Sequence, residues 1–271
     1  MKKNQIKRLL IFALIFSSNH SFSQFDDRFY YPSKEWKSID SLKYESHFIK
    51  IENDSLNCLL IHPEKTAIAT IFYFHGAGGN SSNYIQFIKP FVRNKYRVIM
   101  VDFRGYGKST GKPSHVNIAN DAQIIFDYFI QKDSVSNNPI LLYGASLGSQ
   151  IASHLAVKNS AKIKALIIDG GMSSFTDIAL ESAPESQKEI IKTYVTSPYS
   201  SKEDVHLLEP NKIQLLIIHS KEDTSIPFSH AETVFKNANE PKSFWIYEGE
   251  HLEAPLNEEQ LFLEKINALL N

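Results

Sequence analysis

Short apolar runs alternate with amphipathic segments along most of the chain. Four runs, each bounded by glycine, proline or charged residues, are continuously apolar: AIATIFYF, YRVIMVD, PILLY and IKALIID. Such strands are expected where helices cover both faces of a parallel sheet. Two more runs, QLLIIH and SFWIY, lie nearer the end of the chain. The pattern predicts helices over residues 82–91, 116–131, 147–158 and 228–237, and a final amphipathic helix in NEEQLFLEKINALL.

Two apolar segments precede these runs. HFIKIEN and LNCLLIH are separated by a short polar stretch that begins at Asn53 and Asp54, which predicts an antiparallel hairpin. The stretch upstream, FDDRFYYPSKEWKSIDSLKYE, has no steady period and is predicted to wrap the surface. Together the patterns predict an α/β fold with a mostly parallel, doubly wound sheet of about eight strands.

Residues 172–210 do not fit this alternation, because they are too long for a simple crossover between two strands. We expect them to form a small helical lid over the carboxyl edge of the sheet, where open α/β folds bind ligands. Most apolar side chains of this insertion are expected to pack it onto the domain, and others to line an acyl pocket.

The first residues, MKKNQIKRLLIFALIFSSNHSFSQ, have the order of a secretory signal peptide: basic residues, an apolar run from Leu9 to Phe16, then small and polar residues. We expect cleavage near Ser23, which gives a signal peptide over 1–23, a single domain over 24–271, and export to the periplasm or the medium. An uncleaved membrane anchor is the alternative, but spanning requires ~20 apolar residues. We therefore expect no stable membrane span after cleavage.

Composition narrows the classes of partner. The 271 residues carry a formal net charge of −1, so no basic field favours nucleic acid. Cys58 is the only cysteine, which excludes an intramolecular disulfide and provides no CxxC pair for zinc or redox chemistry. A small molecule or a modest chain is the expected ligand.

The candidate chemistry begins with GASLG, which lies between the apolar run ILLY and a predicted helix. A serine nucleophile requires a sharp strand-to-helix turn with glycines at both flanks, so that its hydroxyl is exposed. Ser146 has this setting. The alternative is that Ser146 is only a small residue at a buried turn.

A serine hydroxyl is a poor nucleophile unless a base and an orienting acid activate it. His251 lies in the loop after the last apolar strand, and Asp223 follows the penultimate one, in the chain order Ser, acid, His. Asp223 has an alternative role as a solvated turn or helix-start carboxylate. Glu222 is adjacent to it, and Asp169 ends an earlier strand and is the second candidate for the acid.

Acyl transfer also requires N–H donors for the developing oxyanion. The glycine-rich HGAGGN directly follows a predicted strand, so the N–H of Ala77, or that of Gly76, is expected to act with the N–H of Leu147. A phosphate-binding loop is the competing interpretation, but HGAGGN has neither the GxGxxG spacing nor a following Lys-Ser/Thr.

Five motifs, FHGAGGN, VDFRGYGKSTGKPS, YGASLGSQIA, IIHSKEDTSIP and GEHLE, resemble in content and order the serine-hydrolase branch of the α/β-hydrolase superfamily. DFRGYGKSTGKPS is similar to the small-lid ABHD-type esterases and their bacterial relatives. The chain departs from the family at Ser220 and Glu250, where glycines are common, and at Gly78-Gly79, where Ala-Gly is frequent.

The resemblance implies the α/β-hydrolase fold and hydrolysis of carboxylic esters of small or acyl-chain substrates, through a Ser146-His251-Asp223 triad and an acyl-enzyme. It implies no metal or cofactor. A peptidase or amidase is the alternative, and an aminopeptidase would need a carboxylate such as Glu181, Glu185 or Glu222 for the substrate ammonium. A non-catalytic binding protein with this fold is a third possibility.

Overall fold

The computed structural model describes residues 22–271, and residues 1–21 of the predicted signal peptide lie outside the described part of the chain. The strands are β1 (Tyr31–Pro32), β2 (Lys43–Ile51), β3 (Asp54–His62), β4 (Ala69–Phe74), β5 (Gly78–Gly79), β6 (Tyr96–Val101), β7 (Ile140–Ala145), β8 (Ala165–Asp169), β9 (Gln214–Ser220) and β10 (Lys242–Tyr247). The α-helices are α1 (Ile85–Arg93), α2 (His115–Ile130), α3 (Asp133–Ser136), α4 (Gly148–Lys158), α5 (Phe175–Glu181), α6 (Lys188–Tyr194), α7 (Ser201–Leu207), α8 (Phe228–Asn237), α9 (Ala254–Asn257) and α10 (Glu259–Ala268).

The central sheet has the strand order β10-β9-β8-β7-β4-β6-β3-β2, which confirms the predicted sheet of about eight strands. The β2–β3 and β3–β6 pairs are antiparallel, and the pairs from β6 through β10 are parallel. After β4, the chain adds β6 on one side of β4 and then returns to add β7 on the other side of β4. The sheet therefore has its topological switch point between β4 and β7, and ligands bind beside such points.

Both faces of the sheet are buried, as the continuous apolar runs require. Along β4, Phe72 and Phe74 pack into one core with residues of α2, α4 and α8. Ile71 and Tyr73 point the opposite way and pack with residues of α1 and α10. Side chains alternate across a strand, so one apolar run supplies both cores. The predicted α/β fold class is confirmed.

Two helices differ from their predicted bounds for local reasons. α1 begins at Ile85, because Asn80 caps a short 3-10 turn over Ser81–Asn83 with its side chain and so delays the helix. The helix of the final amphipathic segment, α10, begins at Glu259 because the backbone of Glu258 is not helical, and the short helix α9 precedes it. Among residues 22–271, no helix combines the length and apolar character that crossing a membrane requires.

The segment before the hairpin does more than wrap the surface. Its strand β1 pairs in parallel with β5, so that Tyr31 is opposite Gly78 and Pro32 is opposite Gly79. Phe29 and Tyr30 are buried in the core beneath it. Sequence patterning missed this pairing, because a two-residue strand has no measurable period. The glycine-rich loop after β4 is thus attached to the N-terminal segment.

Candidate active site

Ser146 lies at a sharp turn between β7 and α4, at the switch point of the sheet. Its φ of 53° is in the left-handed region, which strains a non-glycine residue and is often found at functional turns. The Ser146 N–H donates to the carbonyl oxygen of Asp169 at 2.8 Å. A Cβ on Gly148 would lie 2.0 Å from the Phe74 carbonyl oxygen, so only glycine lets the helix approach this closely.

His251 and Asp223 are joined directly. His251 Nδ1 lies 2.6 Å from Asp223 Oδ2, and the Asp223 side chain is fully buried. The other carboxylate oxygen, Oδ1, accepts the backbone N–H groups of Ser225 and Ile226 at 2.8 and 2.9 Å. These bonds fix the carboxylate plane, and the carboxylate in turn fixes the orientation of the imidazole and keeps its proton on Nδ1.

The electrostatics keep Asp223 ionised. Burial raises the pKa of this carboxyl, but the hydrogen bond and charge of His251 and the Ile226 N–H outweigh burial, so the pKa is lowered overall. His219 stands on the other side, with Nε2 3.5 Å from Asp223 Oδ2, and hydrogen-bonds the Ile226 carbonyl at 2.9 Å. The site therefore holds a negative charge ready to stabilise an imidazolium.

Asp169, the second candidate for the acid, is placed differently. Its carboxylate is almost fully buried and accepts the Tyr143 hydroxyl at 2.5 Å, and it makes no hydrogen bond to His251 among residues 22–271. Burial raises the pKa of Asp169 to about 7, opposed by the Tyr143 hydrogen bond and the nearby His251. Glu222 is exposed on the surface of the turn.

Two glycines show that Ser146 and His251 converge on the same edge of the sheet. A Cβ on Gly76 would lie 3.3 Å from Ser146 Cβ, and a Cβ on Gly170 would lie 2.8 Å from His251 Cε1. Gly170 directly follows the residue whose carbonyl binds the Ser146 N–H. No hydrogen bond joins Ser146 to His251 within the described residues, and such bonds are often long until a substrate is bound.

The candidate oxyanion donors divide into two groups. Across residues 22–271, neither the Ala77 N–H nor the Leu147 N–H donates to another residue, so both are available to a ligand. The Tyr84 hydroxyl lies close to Gly76, where a Cβ would be 2.7 Å from it, and burial raises the pKa of this hydroxyl to about 12. Because Tyr84 crowds Gly76, we expect Ala77 to be the partner of Leu147.

The glycine-rich loop is held by residues that the sequence did not single out. The Ala77 carbonyl oxygen accepts the Tyr106 hydroxyl at 2.6 Å and the Tyr31 N–H at 2.9 Å. Below it, Asp102 accepts the Ser81 N–H at 2.7 Å. Tyr106 lies within the motif DFRGYGKSTGKPS, which carried the family resemblance but no assigned role. Its position shows that this motif braces the loop.

In the part of the chain that the structure describes, no group of three or more His, Cys, Asp or Glu side chains is arranged to hold a metal ion. The chemistry available to these residues is acid–base and nucleophilic: a half-buried serine at a strained turn, an imidazole oriented by a carboxylate, and two N–H donors without a partner in residues 22–271. This combination suits acyl transfer.

Comparison with known proteins gives a consistent picture. A family model described as "alpha/beta hydrolase fold" matches residues 69–196. The protein YfhR of Escherichia coli O157:H7 is 30% identical over 237 residues, which cover 84% of this chain and 78% of YfhR. Lysophosphatidylserine lipase ABHD12 of Macaca fascicularis is 28% identical over 195 residues, covering 65% of this chain and 47% of the lipase.

A solved structure extends the likeness to most of the chain. The esterase Pf2001 of Pyrococcus furiosus superposes with a TM-score of 0.69 and covers 89% of this chain and 95% of its own. Its sequence identity is 16%, so the superposition shows a shared fold and no more.

Proposed function

Because this chain belongs to the α/β-hydrolase fold family, we propose that it is a serine hydrolase that cleaves carboxylic esters of small or acyl-chain substrates. The observation that carries the proposal is the 2.6 Å hydrogen bond from His251 to the buried Asp223, beside the strained turn of Ser146. The lipase among the similar proteins supports the same class of reaction.

In the proposed mechanism, His251 Nε2 takes the proton of Ser146 Oγ as this oxygen attacks the ester carbonyl. The carbonyl oxygen becomes an oxyanion and accepts the N–H groups of Ala77 and Leu147. Asp223 stabilises the imidazolium, which then protonates the departing alkoxide. A water molecule, deprotonated by His251, releases the acid from the acyl-enzyme and restores Ser146.

The carboxylates that an aminopeptidase would need are all exposed. Glu185 and Glu222 lie at the surface, in the lid and in the turn before Asp223. Glu181 lies at a separate cavity whose lining includes three lysines, where its charge is offset. A substrate ammonium finds no buried carboxylate partner among these three, and this favours esters over aminoacyl substrates.

The test combines a substrate panel with a labelling experiment. Wild-type protein is expected to hydrolyse 4-nitrophenyl esters faster than aminoacyl 4-nitroanilides and to react with a fluorophosphonate probe at Ser146. Ser146→Ala abolishes both activities, and Asp223→Asn lowers kcat/KM by about 10³- to 10⁴-fold. Ser149→Ala is the matched control, since the Ser149 hydroxyl is also buried at this turn but hydrogen-bonds no residue in 22–271.

Two results contradict the proposal. Wild-type protein that neither cleaves any ester of the panel nor takes up the probe is not a serine hydrolase. Labelling that persists in Ser146→Ala assigns the nucleophile to another residue.

We further propose that the chain is exported and cleaved near Ser23, on the basis of the N-terminal sequence pattern alone. The mass of the protein recovered from the periplasm or medium tests this, because cleavage removes 23 residues. Recovery of the full-length chain in the membrane fraction supports the uncleaved anchor.

A further inference from the structure

A cavity of about 700 Å³ lies between α5, α6, α7 and α8, and its lining includes no residue of the oxyanion loop. It is lined by Ser173, Asp177, Leu180, Glu181, Lys188, Lys192, Lys202, Ser229, His230 and Thr233. None of these residues has a role in the proposed acyl transfer. The lining is mostly polar, which is unusual for a surface that only packs helices together.

His230 is the buried centre of this lining, with 3% of its surface exposed. Its Nδ1 receives the Ser173 N–H at 3.2 Å and lies 2.8 Å from the Ser173 hydroxyl. A backbone N–H cannot turn away, so Nδ1 is the acceptor. Burial lowers the pKa of His230 despite the nearby carboxylates of Glu181 and Asp177, so the ring is neutral and its proton lies on Nε2.

The Nε2–H of His230 is a donor without a hydrogen-bond partner among residues 22–271. The nearest carboxylate oxygen, on Glu181, is 3.8 Å away, which is too long for a hydrogen bond. Buried donors are normally satisfied, and an unsatisfied one is costly to maintain. The lining of the cavity thus contains a buried polar atom that lacks a hydrogen-bond partner.

The charges around the cavity favour an anion. Three lysines face two carboxylates, which gives the lining a formal charge of +1. Lys202 is held by Asp177 at 2.7 Å, and Asp177 also accepts the Ser173 hydroxyl at 2.7 Å. Within residues 22–271, Lys188 and Lys192 pair only with exposed carboxylates one helical turn away, in contacts that contribute little and are easily exchanged.

The first turn of α8 adds to the positive potential. This ten-residue helix begins at Phe228 without a side-chain cap, and Ser229 and His230 in its first turn line the cavity. The free N–H groups and the dipole at a helix start attract anions. Lysine ammoniums bind phosphate as point charges and do not require the planar fork that arginine gives to carboxylates.

We propose that this cavity binds a phosphoryl group, held by the ammoniums of Lys188 and Lys192 and by His230 Nε2–H. The volume admits the phosphoryl group together with an organic residue. Two sources share this chemistry: free phosphate, and a phosphate carried by the ester substrate. Gly170 lies against the His251 ring, and Ser173 of the cavity lining follows Gly170 by three residues, or ~10 Å of chain at most. The edge of the cavity is therefore within reach of a substrate bound at His251.

Binding is tested first with inorganic phosphate by calorimetry, on the Ser146→Ala protein, so that the result does not depend on catalysis. Phosphate is expected to bind, and the double variant Lys188→Gln/Lys192→Gln to weaken binding at least about tenfold. Glu181→Gln removes the carboxylate nearest His230 and is expected to tighten binding several-fold. The matched control is Lys236→Gln. Lys236 is an exposed lysine of α8 that does not line the cavity, so this variant is expected to leave binding unchanged.

The source of the phosphoryl group is tested with two esters of the same acyl chain, an acylglycerol phosphate and the neutral acylglycerol. This arm rests on the proposed ester hydrolysis. A higher kcat/KM for the phosphate ester, lost in the double lysine variant, assigns the cavity to substrate. Phosphate binding without any such preference assigns it to free phosphate.

The proposal is overturned if the Ser146→Ala protein does not bind phosphate, or if the double lysine variant in that background binds it as tightly as Lys236→Gln does. Inactivity towards every ester together with normal phosphate binding refutes the proposed hydrolysis and leaves the phosphoryl site standing. The two proposals thus fail separately.

Discussion

The position of His251 depends on the absence of a side chain at Gly170, and Gly170→Ala tests that dependence. A Cβ there would lie 2.8 Å from His251 Cε1 and 3.0 Å from Nδ1. Ordinary carbon contacts are about 3.5–4.0 Å, so the imidazole must move by roughly 0.7 Å or more. The same movement strains the 2.6 Å hydrogen bond to Asp223.

The cost in activity follows from this displacement. A misplacement of about 1 Å in a catalytic group is worth up to ~100-fold, so Gly170→Ala is expected to lower kcat/KM by about 10- to 100-fold, or roughly 1.4–2.7 kcal/mol of transition-state stabilisation. Gly170 also has a φ of +55°, so alanine costs about 1 kcal/mol in unfolding free energy. The measurements are 4-nitrophenyl ester kinetics, the rate of fluorophosphonate labelling and urea unfolding.

Gly111→Ala is the control that separates stability from geometry. Gly111 has a φ of +81°, and its Cβ would meet the Asp54 carboxylate in the β2–β3 hairpin. It is expected to lose comparable stability and to keep its activity. The reasoning is refuted if folded Gly170→Ala retains wild-type kcat/KM, or if Gly111→Ala loses as much activity.

Three further predictions concern other parts of the fold. Tyr106→Phe removes the hydroxyl that donates a hydrogen bond to the Ala77 carbonyl oxygen. We expect it to lower kcat several-fold with KM unchanged and to cost about 1 kcal/mol in unfolding free energy. A change in KM alone argues against a role at the oxyanion loop. Asp169, with a pKa of about 7, destabilises the folded state progressively as the pH rises from ~4 to about 7, because the unfolded carboxyl ionises at ~3.9. Asp169→Asn should therefore gain stability relative to wild type between pH 5 and pH 8 in urea unfolding, and parallel pH curves contradict this. Cys58 is fully buried, and burial raises the pKa of its thiol. We therefore expect a chromogenic disulfide reagent to modify Cys58 only when the protein unfolds. Rapid stoichiometric reaction of the native protein would show that the region around β3 opens.

The sequence predicted the fold because burial on both sheet faces has a direct signature in continuous apolar runs. The runs AIATIFYF and PILLY became the adjacent strands β4 and β7, and the carboxyl ends of these strands lead into the glycine-rich loop and Ser146. Chain order then nominated Asp223 and His251. The assignments of Ser146, Asp223 and His251 require only local patterns and the order of the elements, and both can be read from the sequence.

Contacts between distant segments have no such signature. Which of Asp169 and Asp223 reaches His251 depends on how two neighbouring strand ends are turned, and the structure gives the hydrogen bond to Asp223. The pairing of β1 with β5 joins segments almost fifty residues apart through two residues of each strand. Strands this short show no hydrophobic periodicity, so the sequence pattern does not predict the pairing.

The sequence by itself determined the eight strands of the central sheet, the strand-to-helix turn at Ser146 and the set of side chains available for chemistry, because these follow from local periodicity and residue type. The tertiary structure alone decided which donors are available: it placed the Tyr84 hydroxyl close to Gly76 and left the Ala77 N–H without a partner in residues 22–271. It also placed His230, whose Nε2 has no hydrogen-bond partner in residues 22–271, in the lining of a cavity that includes three lysines. The pairing of a buried polar group is a property of the packed neighbours, and packing brings together residues that the chain keeps apart.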